Sequence, residues 1–192
     1  MSTAYVDQDE IEELEEEVTA AKKRLREARQ HRSPEPVQDY ELVDSDGGRL
    51  WLSDLFGAKD DLIVVHNVGT DCVYCTLWAD GFTGLVPHLE DRAAFAVISH
   101  DTFAAQRRFA KGRGWNFKMV SAHGTDFAHA IGFENDDGFQ PGVSTFRRHS
   151  DGQIYRIAKS RFLPGDEFCS IWSFLDLLDG GAKGWEPGYE YS

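Results

Sequence analysis

The sequence predicts an α/β fold, with a central mixed sheet flanked by helices and an extra helical arm at the N-terminus. Residues 62–65 and 93–99 are apolar runs that contain β-branched side chains, as expected of strands covered on both faces. A segment with the apolar spacing of a helix follows each run, so that strand and helix alternate. Further along, Asp151 and Gly152 separate two more strand patterns and predict a β-hairpin.

The remaining elements follow from local patterns. A hairpin is predicted between residues 40–43 and 49–52, because the residues between them are typical of a turn. One helix with a kink at Pro87 is predicted after Cys75, and a closing helix is predicted over residues 168–178. The segment 123–137 fits no single element pattern.

Length and charge limit the classes of function. A chain of 192 residues fits one domain with an appendage, and we expect an arm and linker over residues 1–36 and a domain over residues 37–192. The net charge of −13 repels phosphate backbones and anionic lipid, and no apolar run is long enough to cross a bilayer. We therefore expect neither a nucleic-acid nor a membrane partner. Residues 1–9 contain no apolar signal core, so the expected location is cytoplasmic.

The arm is predicted to be one long helix between Asp7 and Arg32, a segment without glycine or proline. Acidic residues fill its first half and basic residues its second half, which complements the helix dipole at both ends. Ser33 to Pro36 is predicted to end the helix and form a stiff linker. Two interpretations stay open, because the helix can fold back along its own domain or pair with a second copy. Its apolar residues form one narrow seam of Ile11, Leu14, Val18, Ala21, Leu25 and Ala28.

Two cysteines separated by two residues follow the first apolar run. Gly69 ends that strand, and Thr70 or Asp71 can cap a following helix. Such a cap places Cys72 at the helix N-terminus, where unpaired amides and the helix dipole favour a thiolate over a thiol. Cys75 lies one turn further on, close enough to form a disulfide with Cys72. The pattern predicts a redox site in which Cys72 attacks and Cys75 resolves.

Two alternatives to redox chemistry remain open for this pair. One is a metal-binding module that uses Cys72, Cys75 and a histidine; the only other cysteine, Cys169, has no cysteine or histidine at ligand spacing. The other alternative is an interaction domain in which the pair is inert. The histidines that could complete a metal site are His88, His123 and His129.

Several motifs beyond the pair of cysteines occur along the chain. They are residues 72–82 (CVYCTLWADGF), 86–89 (VPHL), 114–115 (GW), Ser121, 124–127 (GTDF) and 141–146 (PGVSTF). With these motifs and its element order, the sequence resembles the thioredoxin fold, and more closely a bacterial thioredoxin-like family known only as a domain of unknown function, number eight hundred and ninety-nine. The resemblance covers nearly the whole chain after the linker. It implies a thiol-disulfide oxidoreductase that acts on a disulfide-bearing protein or small molecule, without a cofactor or metal.

The same resemblance suggests roles for individual residues. It makes Cys72 the nucleophile and Cys75 the resolving thiol. Thioredoxins carry a buried acidic residue six positions before the first cysteine, and this residue assists proton transfer from the second cysteine. In this sequence His66 occupies that position. The ordinary pKa of histidine, about 6.5, suits a proton acceptor near neutral pH. The alternative is a core histidine bonded to the backbone. Thioredoxins also place a cis-proline beside the disulfide; serine replaces it here, so Val143 and Ser144 are the predicted substrate-binding residues.

The charge split of the arm predicts a homodimer in which two arms pair in antiparallel fashion. That arrangement sets Glu10 opposite Arg24 and Glu15 opposite Arg29, whereas parallel pairing brings like charges together. We expect light scattering at micromolar concentration to give a dimer, and deletion of residues 1–32 to convert it to a monomer. A full-length chain that is already monomeric would contradict this prediction.

Overall fold

The predicted arm forms one helix, α1 (Gln8–Gln30), in the computed structural model, which describes residues 7–191. The remainder of the predicted arm, residues 1–6, lies outside the described residues. Asp7 caps the helix, since its side-chain oxygen accepts a hydrogen bond from the Glu10 amide at 2.9 Å. The chain divides into two compact units after Pro34, two residues before the boundary that we predict.

The second unit is built on an eight-stranded mixed sheet. The strands of this unit are β1 (Glu35–Val37), β2 (Glu41–Asp44), β3 (Arg49–Trp51), β4 (Asp61–Asn67), β5 (Ala94–Ser99), β6 (Met119–Ser121), β7 (Glu134–Asn135), β8 (Gly138–Phe139), β9 (Gly142–Arg148) and β10 (Ile154–Arg161). In space the strands of the large sheet follow the order β1-β10-β9-β4-β5-β6-β2-β3, while β7 and β8 form a separate two-stranded ribbon. Strand β4 runs parallel to β5 and antiparallel to β9, so the first apolar run lies inside the sheet as predicted.

Helices cover the sheet and connect its strands. Within residues 7–191, none of the helices has the length and apolar character that a membrane span requires. The helices of this unit are α2 (Val73–Phe82), α3 (Val86–Arg92), α4 (Phe103–Arg113), α5 (Phe127–Ala130) and α6 (Ile171–Asp176), with a 3₁₀ helix at Leu52–Phe56.

The two faces of the sheet bury separate apolar clusters. Successive side chains of a strand point to opposite faces, and β4 follows this rule. Leu62 and Val64 pack in one cluster with Phe127 and Phe133, between the sheet and the chain around α5. Val65 packs in the other cluster, which contains the apolar face of α2, including Trp78, Ala79 and Phe82. Helix α2 therefore lies against one face of the sheet, and α5 lies on the other.

Two predictions about connections differ from the structure. Glu35 and Pro36, predicted as linker, belong to β1, which pairs with β10; a proline is tolerated there because β1 is an edge strand. The single kinked helix predicted after Cys75 is two helices, α2 and α3, with a break over residues 83–85. Pro87 lies in the first turn of α3, where a missing amide hydrogen costs no helical hydrogen bond.

Two further segments depart from the sequence patterns. The segment 123–137 contains α5 and β7, and its apolar residues Phe127, Ile131 and Phe133 are buried, so it contributes to the core despite its polar composition. The closing helix is shorter than predicted, because α6 ends at Asp176 and leaves Leu177 84% exposed. The predicted hairpins β2–β3 and β9–β10 are confirmed.

Candidate functional site

The pair of cysteines lies where β4 ends and α2 begins. Cys72 itself is the N-cap of α2, one residue after Asp71 and two after Thr70, the two caps that we predict. Its Sγ accepts a hydrogen bond from the Cys75 backbone N–H at 3.1 Å. An amide in this position is one that stabilises the charged form of a cysteine sulfur.

Cys72 and Cys75 are joined by a disulfide, with their Cα atoms 5.2 Å apart. The two sulfurs differ in access, because Cys72 is half-buried and Cys75 is only 2% exposed. A substrate can therefore approach Cys72, whereas Cys75, in the first turn of α2, is covered by the surrounding chain. This asymmetry is the one required of an attacking and a resolving thiol.

Side chains from distant parts of the unit hold the turn that leads to Cys72. The amide of Thr70 donates to Asp101 Oδ2 at 2.8 Å, and the Tyr189 hydroxyl donates to the Thr70 carbonyl at 2.9 Å. Gly69 has a φ of +136°, and a Cβ there would lie 3.0 Å from Asp101 Oδ2, so the turn needs glycine for its conformation and for space. The Asn67 side chain accepts from the Gly69 amide at 2.8 Å.

Sequence reasoning did not identify Asp101 or Tyr189 as part of the site. Asp101 lies just before α4 and is a residue type that often caps a helix, but Thr102 caps α4, with its hydroxyl accepting from the Ala105 amide. Asp101 is therefore free to contact the turn before Cys72. Tyr189 carries no recognisable motif and lies 119 residues from its partner, so no local pattern could have indicated it.

His66 is buried on β4, where it meets Ser144 of β9. Its Nε2 lies 3.0 Å from the Ser144 Oγ, and its ring stacks on Phe133 with a centroid separation of 3.9 Å. Burial, together with the positive charges of Arg156 and Lys159, lowers the pKa of His66 from 6.5 to about 3. The imidazole is therefore neutral at physiological pH.

The structure does not bring His66 to the cysteines. Its stacking partner belongs to the cluster on the α5 side of the sheet, whereas α2 lies on the other side. The cause is the alternation of β4, because a count of six residues back from Cys72 does not specify a face. Among the described residues no hydrogen bond joins His66 to Cys72 or Cys75, and its role as proton acceptor stays a prediction that this placement does not favour.

The two predicted substrate-binding residues are likewise on opposite faces. Val143 pairs with Val65 and packs against the cluster under α2, on the side of the disulfide. Ser144 pairs with Val64, is fully buried and contacts His66. Of these two residues, only Val143 is on the face where a substrate of Cys72 would bind.

The remaining candidates for chemistry do not assemble into a second centre. Cys169 is buried against the α2 side of the core, and burial raises the pKa of its thiol. Within residues 7–191, no three His, Cys, Asp or Glu side chains are close enough to hold a metal ion together. The histidines proposed as metal ligands are each on separate elements, with His88 on α3 and His129 on α5.

Solved structures with a similar fold include three proteins of the peroxiredoxin type. Peroxidoxin BcpB from Mycobacterium tuberculosis is 24% identical with a TM-score of 0.52, over 64% of this chain and 81% of that one. A peroxiredoxin-like protein from Aquifex aeolicus is 16% identical with a TM-score of 0.54, over 67% and 74% of the two chains. A PrxQ mutant from Xylella fastidiosa is 17% identical with a TM-score of 0.56, over 69% and 86%. These likenesses confirm the predicted thioredoxin-like fold.

One protein family matches almost the whole sequence. Its model, described as a bacterial protein of unknown function (DUF899), matches residues 5–189. This match confirms the family resemblance read from the motifs. No curated protein matches the sequence.

The exposure of the three thiols predicts the order in which they react. In the reduced, folded protein, iodoacetamide should modify Cys72 first, because it is the accessible thiol and its sulfur accepts an amide hydrogen bond. Cys75 and Cys169 should react at least about tenfold more slowly, since both are buried. Mass spectrometry of peptides after timed alkylation measures the order. Modification of Cys169 or Cys75 ahead of Cys72 would contradict the site.

Buried His66 predicts that the fold loses stability in acid. The pKa of His66 is about 3 in the folded chain and about 6.5 in an unfolded one, so the unfolded chain binds more protons between these values. The free energy of unfolding therefore falls as the pH drops below about 6.5. His66 contributes up to about 1.4 kcal/mol of this fall per pH unit, and it contributes no pH dependence well above about pH 6.5.

The variant His66→Gln keeps a polar partner for Ser144 and removes this titration. Its loss of unfolding free energy between about pH 6.5 and pH 5 should be about 1.6 kcal/mol smaller than that of the wild type. Urea unfolding at the two pH values measures both losses. Equal losses in the two proteins would mean that His66 is not held neutral.

Proposed function

The chain belongs to the bacterial family of unknown function DUF899, and we propose that it is a thiol-disulfide oxidoreductase that cycles Cys72 and Cys75 between dithiol and disulfide. One observation carries the proposal: the half-buried Cys72 caps α2 and accepts the Cys75 amide, while its disulfide partner Cys75 is buried. An inert pair of core thiols would need neither the N-terminal position nor the difference in access.

The reaction begins with the reduced pair. The Cys72 thiolate attacks one sulfur of the substrate disulfide, whose S–S bond breaks; the leaving sulfur takes a proton from solvent and departs as a thiol. Cys75 then loses its proton and attacks the Cys72 sulfur, which forms the intramolecular disulfide and releases the second substrate thiol. Two electrons pass from the pair to the substrate. We further propose that an external dithiol of the cytoplasm reduces the pair again.

The position of Val143 supports a contact with the substrate. It lies on the α2 side of β9 and is only partly buried, whereas Ser144 is covered on the other face. We therefore propose Val143 as a substrate contact and Ser144 as the residue that holds His66. His66 has no part in the two sulfur transfers of this scheme.

A second candidate reaction uses the same two cysteines on a hydroperoxide. The likeness to solved peroxiredoxins favours it. The Cys72 thiolate would attack the terminal peroxide oxygen, the O–O bond would break, and Cys72 would become a sulfenic acid as an alcohol or water leaves. The Cys75 thiol would then attack that sulfur, releasing water and forming the same disulfide. Both reactions therefore end with the oxidised pair.

The stoichiometry with a chromogenic aromatic disulfide tests the proposed roles. The reduced wild type should release two aromatic thiols per chain, because Cys75 resolves the mixed disulfide on Cys72. Cys75→Ser should release one and retain the aromatic group on Cys72, while Cys72→Ser should lose at least about 90% of the initial rate. Absorbance and intact mass measure both outcomes.

The matched control for this experiment is Cys169→Ser, since Cys169 is buried outside the pair and should leave the wild-type stoichiometry unchanged. Full reaction of the folded Cys72→Ser variant would overturn the assignment of the nucleophile. Consumption of hydrogen peroxide by the reduced protein, abolished in Cys72→Ser, would favour the second reaction over the first.

A further inference from the structure

Both backbone polar atoms of Thr70 are held by side chains from outside the turn. Asp101, two residues after the end of β5, accepts from the Thr70 amide at 2.8 Å, and the Tyr189 hydroxyl donates to the Thr70 carbonyl at 2.9 Å. Thr70 lies two residues before Cys72, so these two hydrogen bonds fix the backbone that leads into the N-cap of α2.

Tyr189 is itself anchored to the helix that carries the cysteines. Its carbonyl accepts from Arg113 Nη1 at 2.5 Å, and the Arg113 guanidinium forms a paired hydrogen bond and salt bridge with Asp80 of α2. Trp115 Nε1 donates to the same carboxylate at 2.8 Å. The segment around Tyr189 is therefore joined to α2 through Arg113 and to the preceding turn through its own hydroxyl.

The ring of Tyr189 adds an apolar contact that does not depend on its hydroxyl. It meets Phe109 of α4 edge to face, with ring centroids 6.1 Å apart. A phenylalanine at this position keeps this contact and the backbone bond to Arg113, and loses only the hydrogen bond to Thr70. The contribution of that one bond can therefore be isolated.

We infer that Tyr189 is a positioning residue for Cys72: its hydroxyl holds the Thr70 carbonyl so that the Cys72 sulfur stays on the Cys75 amide. This inference rests on the proposed function and identifies a residue that acts through the turn rather than on the substrate. Without the hydroxyl, the Thr70 carbonyl has to accept a hydrogen bond from water instead, and the backbone around Thr70 becomes more mobile. The hydrogen bond from the Cys75 amide to the Cys72 sulfur is then formed for a smaller fraction of the time. The thiolate then loses part of its stabilisation.

The pair Tyr189→Phe and Tyr191→Phe tests the inference within one segment. The Tyr191 hydroxyl accepts from the Gly188 amide at 3.2 Å, and within residues 7–191 no hydrogen bond joins it to Thr70, so its variant removes a hydroxyl that does not hold the turn. The acidic neighbour of Cys72, Asp71, is unchanged in both variants. Alkylation of the reduced chains by iodoacetamide, followed at Cys72 between about pH 5 and pH 9, reports the thiolate fraction at each pH.

We expect Tyr189→Phe to move the midpoint of the Cys72 alkylation profile to higher pH, with a rate about fivefold lower than that of the wild type on the acidic side of the midpoint and an unchanged rate near pH 9. Tyr191→Phe should follow the wild type at every pH. A purely structural role for Tyr189 would lower the unfolding temperature without moving the midpoint of the profile. Coincident profiles for the wild type and folded Tyr189→Phe would overturn the inference.

Two further controls cover a variant that does not fold and a failure of the proposed function. If Tyr189→Phe does not fold, Arg113→Gln detaches the Tyr189 carbonyl while keeping the hydroxyl, and it must shift the midpoint upward or the inference is overturned. Failure of the proposed function has a different signature, because then the wild type itself would not join Cys72 to Cys75 on mild oxidation. Failure of the inference alone leaves that oxidation and the wild-type profile intact.

Discussion

The hydrogen bond from the Cys75 amide to the Cys72 sulfur is the contact on which the site depends. It exists because α2 begins at Cys72, so the sulfur occupies the position that a capping oxygen has in other helices. A start one residue earlier, at Asp71, would point the first free amides at a carboxylate. The start is set by the turn from Asn67 to Thr70, whose backbone at Gly69 has a φ of +136° and lies against Asp101.

The parallel pairing of β4 and β5 explains why Asp101 is available to that turn. Neighbouring parallel strands end at the same edge of a sheet, and here Asn67 pairs with Ser99 at the last position of each strand. The chain after each strand therefore emerges side by side. The turn to α2 leaves from one strand, and Asp101 follows two residues after the other, close enough to accept the Thr70 amide. The α/β order that is evident in the sequence thus builds the polar support of the site as well as its helix.

Local sequence patterns predicted the elements that depend on a few adjacent residues. The buried strand β4, the position of the cysteine pair at the start of α2 and the Asp151-Gly152 hairpin each rest on a few adjacent residues, and the structure has all three. The face of His66 could not be predicted by counting back from Cys72, because the turn between strand and helix has no fixed length and one residue reverses the side chain. The bond from Tyr189 to Thr70 spans 119 residues and has no sequence pattern, so only the folded chain reveals it.

The two faces of β4 serve different purposes in the domain. One face packs against α2, which begins at Cys72, and on the other face the side chains of His66 and Ser144 join β4 to β9. A charge on His66 would be placed in a buried cluster beside two cationic side chains, so this support requires a neutral imidazole. Acid therefore acts on the protein in two separable ways. In the proposed reaction, protonation of the Cys72 thiolate silences the nucleophile while the chain stays folded, whereas charging of His66 requires the core to open.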